Sequence, residues 1–104
     1  MRYMGEPVRS LERYKAPAEV LKAMAHPLRL CILMALYEQE GTSVTALRDQ
    51  MRAPQSTVSQ QLGILRRAGL VSAERTGKLV SYRIADSNIR GIVAIMMRLM
   101  LEEE

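Results

Sequence analysis

The stretch Ala53–Val71, APQSTVSQQLGILRRAGLV, decides the fold. Val58, Leu62 and Leu65 fall at i, i+4 and i+7, a spacing that lines three apolar side chains along one stripe of a helix. Ser56, Ser59, Gln60, Gly63 and Arg67 recur at steps of three and four on another stripe. A stripe that met only solvent would favour Glu, Lys and Ala, because serine and glycine are weak helix formers. Short hydroxyls, amides and a glycine instead suit a helix that approaches a partner closely and hydrogen-bonds to it. Pro54 stands near the first turn and Gly69 ends the helix.

Downstream of Gly69 the period changes from helical to alternating. Val71, Ala73 and Arg75 share one side, and Val80, Tyr82 and Ile84 share it again beyond Thr76-Gly77-Lys78. That pattern predicts a β-hairpin with glycine in its turn. A last helix follows from Asp86, with Ile89, Ile92, Val93, Met96, Leu99 and Met100 at steps of three and four, a seam rather than a scatter. Upstream, Gly41, Thr42 and Ser43 mark a stop and a new cap for a short helix with Val44, Leu47 and Met51 on one side. Leu28 to Tyr37 is apolar nearly all round and reads as a central core helix. His26-Pro27 breaks the chain before it, because a residue preceding proline avoids the helical region. The first helix is expected to start at Pro17, with Val20, Leu21, Met24 and Leu28 as its apolar face. Residues 1–16 then form an N-terminal arm, in which RSLERYK could add a helical turn, and residues 17–104 form the domain. The expected fold is mainly α with a small β-hairpin: a winged helix–turn–helix of order α-α-α-α-β-β-α.

The chain has 104 residues, enough for one domain with a modest core, and a net charge of +4. Between Gln55 and Arg83 lie five basic residues, Arg66, Arg67, Arg75, Lys78 and Arg83, against Glu74 alone, while the rest of the chain balances. The excess charge therefore sits on the opening helix and the hairpin, which favours a polyanion as partner. A single cysteine, Cys31, excludes an intramolecular disulfide and any multi-cysteine zinc site. With no charged-then-apolar leader and no long apolar run, the protein is expected in the cytoplasm, with no membrane partner. One histidine and one cysteine give no nucleophile–base pair, so an enzyme is not expected.

In a helix–turn–helix the second helix lies in the major groove of double-stranded DNA, and its first residues touch base edges and phosphates. Glutamine can pair with adenine, and serine and threonine can bond to bases or phosphates. Gln55, Ser56, Thr57, Ser59 and Gln60 are the candidate contacts, with Arg67 nearby and Arg75 and Lys78 on the wing. The strings LKAMAHPLRLCIL (Leu21–Leu33), QSTVSQQLGILRRAGLV (Gln55–Val71) and GKLVSYRI (Gly77–Ile84) resemble the ArsR/SmtB family of repressors. The resemblance implies a homodimer built from the first and last helices that binds an inverted repeat and releases it on meeting an inducer. Val20 joins the last-helix seam in that expected interface.

Many members of that family sense metals, and this sequence departs from them. Where one site has thiolates, GTSVTA puts Ser43 and Thr45, and hydroxyls are poor ligands for soft metals. The other site corresponds to Asp86, Asn88, Leu99 and Glu102, two carboxylates without an imidazole. No metal or other cofactor is expected, and the sequence names no inducer. His26 reads as a capping or packing residue, and the methionines of the last helix read as dimer seam. Cys31 reads as a small hydrophobe in the core, although it is also the one candidate sensor. Two alternatives therefore stay beside a metal-free repressor: a thiol- or ligand-responsive repressor using Cys31 or an interface pocket, and a winged-helix module that holds a protein partner.

Overall fold

The computed structural model describes residues 10–102. Its order is α1 (Glu12–Met24), α2 (Pro27–Glu38), β1 (Thr42–Ser43), α3 (Val44–Met51), α4 (Gln55–Arg67), β2 (Val71–Thr76), β3 (Leu79–Ile84) and α5 (Ser87–Glu102). The three strands form one antiparallel sheet in the order β1-β3-β2. The expected winged helix–turn–helix is present, with one strand more than the sequence suggested. Residues 1–9 of the expected arm and the last two residues of the acidic terminus lie outside the described residues.

The core is built around α2, whose Ile32, Leu33 and Leu36 are fully buried. Leu47 of α3, the Val58–Leu62–Leu65 stripe of α4, Leu70 and Val71 close over it from one side. Ile84, paired with Val71, and Ile89 and Val93 of α5 complete the cluster. Local chemistry fixes each boundary. The His26 imidazole Nδ1 accepts a hydrogen bond from the Leu28 N–H at 3.2 Å, so the sole histidine caps α2 with Pro27 in its first turn. The Ser43 hydroxyl accepts from the Ala46 N–H and caps α3. At the end of α4, the Gly69 N–H donates to the Arg66 carbonyl and the Leu70 N–H to the Leu65 carbonyl. That paired closure needs the left-handed φ of +80° at Gly69.

The hairpin register matches the alternation in the sequence. Val71 faces Ile84, Ala73 faces Tyr82 and Arg75 faces Val80, which puts the first pair in the core and the last beyond it. Gly77 has φ +65° at the first central position of the two-residue turn, as a type II′ hairpin requires.

Two expectations need correction. The first helix starts at Glu12, with the Glu12 N–H donating to the Ser10 hydroxyl, and Pro17 lies inside it. The bond that Pro17 removes is the one to the Arg13 carbonyl; both residues are exposed, so water can take the place of the missing N–H. Thr42 and Ser43 also do more than cap a helix. They pair with Tyr82 and Ser81 as β1 and tie the base of the hairpin to the α2–α3 junction.

Candidate nucleic-acid interface

Burial of Val58, Leu62 and Leu65 turns the opposite stripe of α4 outward. Gln55, Ser56, Ser59 and Gln60 are exposed, and Thr57 is half-buried beside them. Pro54 occupies the N-cap and no side chain caps α4. The first N–H groups of this helix thus have no capping side chain, and a helix start of this kind favours an anion such as phosphate. Gln55 is held in place: its Oε1 accepts from Arg48 of α3 at 3.0 Å, while Arg48 also pairs with Asp49. A second tie crosses from α2, where an Arg29 guanidinium N–H donates to Gln61 Oε1 at 3.2 Å. The polar face of α4 is therefore presented by the two helices packed beneath it.

Arg66 and Arg67 are exposed in the last turn of α4. A Cβ placed on Gly63 would stand 3.3 Å from an Arg67 guanidinium nitrogen. The missing side chain is filled by Arg67 folding back one turn, which adds a second use to the close approach expected of Gly63. Arg75 and Lys78 are exposed on the hairpin. Arg83 lies 4.0 Å from Glu74, and among the described residues neither Arg75 nor Lys78 has an ion-pair partner. Charge on the wing is thus concentrated at its tip. Sequence reasoning missed Arg48, although an arginine within a turn of the helix–turn–helix junction was a usable signal.

The helices away from this face have a different surface. α1 buries only Ala23 and Met24, and its Leu11, Tyr14 and Leu21 are 73%, 48% and 59% exposed along one stripe. Leu21, expected toward the core, belongs to that outer stripe. On α5 the inward stripe is Ile89 and Val93, continued by the half-buried Met97. The outward stripe is Ile95 and Leu99, more than half exposed, with the half-buried Ile92 at its edge and also packed against the core. This corrects part of the expected dimer seam. Val93 is fully buried and Ile89 nearly so against the protomer's own core, so neither is available to a partner. Val20 and Met96 are half-buried, and Met100 and Ile95 are exposed.

Cys31 is exposed, not buried as expected. It lies on the side of α2 that the other helices leave open. Ser43 and Thr45 hydrogen-bond to each other at 3.1 Å, and Asp86 accepts from the Ile89 N–H as the cap of α5. Among the described residues, no group of three or more His, Cys, Asp or Glu side chains is placed to hold a metal ion.

A helix–turn–helix with an outward polar second helix and a basic-tipped wing defines the class: a winged helix–turn–helix transcriptional regulator. A helix-turn-helix domain model matches residues 24–72, from the end of α1 to the start of β2. The chain is 36% identical over 86 residues to an uncharacterized HTH-type transcriptional regulator of Methanocaldococcus jannaschii, covering 83% of this chain and 97% of that one. It is 34% identical over 93 residues to the biofilm growth-associated repressor of Xylella fastidiosa, covering 89% and 81%. The homodimeric winged helix-turn-helix DNA-binding domain of a possible ArsR-family transcriptional regulator from Mycobacterium bovis superposes with a TM-score of 0.81. That structure is 31% identical and covers 95% of this chain and 91% of its own. The protein belongs to the ArsR/SmtB family of winged helix–turn–helix transcriptional regulators, a family of DNA-binding proteins and not of enzymes.

Proposed function

We propose that the protein is a homodimeric repressor that binds an inverted repeat in double-stranded DNA and has neither of the family's usual metal sites. The observation that carries this reading is the exposed stripe of α4, where small hydroxyls and amides start an uncapped helix beside a basic wing. Gln55, Ser56, Thr57, Ser59 and Gln60 make base and phosphate contacts in the major groove. Arg67 meets the flanking backbone, and Arg75 and Lys78 hold a phosphate or the adjacent minor groove from the wing.

The outer stripes of α1 and α5 supply the dimer contact. Leu11, Tyr14, Leu21, Ile95 and Leu99 are 48–73% exposed, apolar surface of the kind that a second protomer covers. Ile92, Met96 and Met100 border the α5 stripe and Val20 borders that of α1. The M. bovis relative, similar along nearly its whole length, is a homodimer, and the Xylella relative is a repressor by name. Among the described residues no single helix is long and apolar enough to cross a membrane. A repressor of this kind acts on DNA in the cytoplasm.

Selection of binding sites from a random duplex library tests the reading. The expected product is a palindromic motif whose half-sites are about one helical turn apart, bound by two protomers. Recovery of no motif, or of a single half-site bound by one protomer, would reject it.

A further inference from the structure

A groove between α2 and α5 lies apart from the DNA-binding face and is not used by it. It encloses about 750 Å³, within the range of small-molecule sites. One face of α2 forms its floor, from Pro27 through Leu30, Cys31 and Met34 to Glu38. Eleven steps at the helical rise make that floor roughly 16 Å long. Five of the chain's eight methionines line the groove, from α2, the end of α3 and α5. Thioether side chains are flexible and polarisable, so such walls adapt to apolar ligands of different shape.

Charge distinguishes the two ends. Glu38 is the only charged residue in the lining, and it is the last residue of α2. The carboxylate and the negative end of the helix dipole therefore coincide. Among the described residues Glu38 has no ion-pair partner, and the nearby Arg90 is occupied by Glu40 and the Tyr37 carbonyl. We infer that the α2–α5 groove binds an amphiphilic organic cation, its apolar body along Cys31, Met34 and Met97 and its positive end at Glu38. The stripe proposed to meet a second protomer, centred on Ile95 and Leu99, runs on the neighbouring face of α5, and Leu99 with the bordering Met96 and Met100 belongs to both the groove and that contact. The groove also reaches Gln50 and Met51, the last residues of α3 before the turn into α4. A ligand there touches both the proposed dimer helix and the helix–turn–helix.

Fluorescence anisotropy of the full chain, without DNA, tests this with rhodamine 6G as the cation, N-phenyl-1-naphthylamine as a neutral probe and 8-anilinonaphthalene-1-sulfonate as an anion. The cation should bind tighter than the anion. Glu38→Gln should weaken the cation about fivefold, the worth of a partly exposed ion pair, and leave the neutral probe unchanged. Cys31→Phe, a groove-filling change at an exposed position, should weaken both. Equal cation binding by the Glu38→Gln variant, or preference for the anion, would overturn the proposal. So would a Cys31→Phe variant that keeps both probes but sediments as a monomer, because a second copy would then occupy the groove. No DNA is present, so the outcome is separate from that of the repressor reading.

Discussion

α4 and α5 are built alike on one side and oppositely on the other. Each lays a stripe of aliphatic side chains on the core formed around α2: Val58, Leu62 and Leu65 from α4, Ile89 and Val93 from α5. The outward stripe of α4 is Ser56, Ser59, Gln60 and Arg67, whereas that of α5 is Ile92, Ile95 and Leu99. The inner stripes specify the fold, and the outer stripes specify what each helix meets. Hydroxyls and amides beside arginine retain their hydrogen-bonding groups for a polar, anionic surface. Aliphatic side chains left in water gain by being covered with another apolar surface.

The contrast can be broken most severely on α5. Replacing Ile95 and Leu99 together by glutamate should give a monomer by analytical ultracentrifugation. Operator affinity should then fall by about a thousandfold, because each protomer binds its half-site alone. The protomer fold should be retained, since both residues are exposed on it, while the stabilisation that association confers is lost. A double variant that remains dimeric would place the protomer contact elsewhere. Next in size is Leu62→Ala on the inner side of α4, expected to lower the unfolding free energy by about 3 kcal/mol in urea titrations. A loss under about 1 kcal/mol would mean that this stripe is not packed as described.

The smallest changes sharpen the outer face of α4 against the wing. Lys78→Glu should weaken binding to every duplex about tenfold and flatten the salt dependence. Gln60→Ala should cost about 1–2 kcal/mol on the cognate site and leave a scrambled duplex unaffected. Equal losses for Gln60→Ala on both duplexes would remove it from base recognition.

Much of this division could be read in the sequence where a period was unambiguous. The alternation around Gly77 foretold the pairing of Val71 with Ile84 and Arg75 with Val80. The α4 pattern separated its two faces because Val58, Leu62 and Leu65 form one stripe and Ser56, Ser59, Gln60 and Arg67 another. The α5 pattern could not do so. Ile89–Val93 and Ile92–Ile95–Leu99 are both aliphatic, and only packing against α2 shows which stripe faces inward. Cys31 was misread for a related reason: a helix apolar all round does not reveal which side its neighbours leave open. β1 has two residues and exists through its pairing with β3, so no local signal announces it. Pro17 looked like a helix start because proline is common there, yet the chain before it was already helical. The ties from Arg48 to Gln55 and from Arg29 to Gln61 join separate helices and appear only once the helices are packed.

The most direct test of the central claim is fluorescence anisotropy of the purified protein, near physiological salt, on the DNA upstream of its own gene and on a scrambled duplex. Two protomers bound per upstream site, with an affinity at least about a thousandfold above the scrambled duplex, is the result expected of a sequence-reading dimer. Equal and steeply salt-dependent binding to both would show a generic basic patch and contradict a reading of α4 as the element that selects this site.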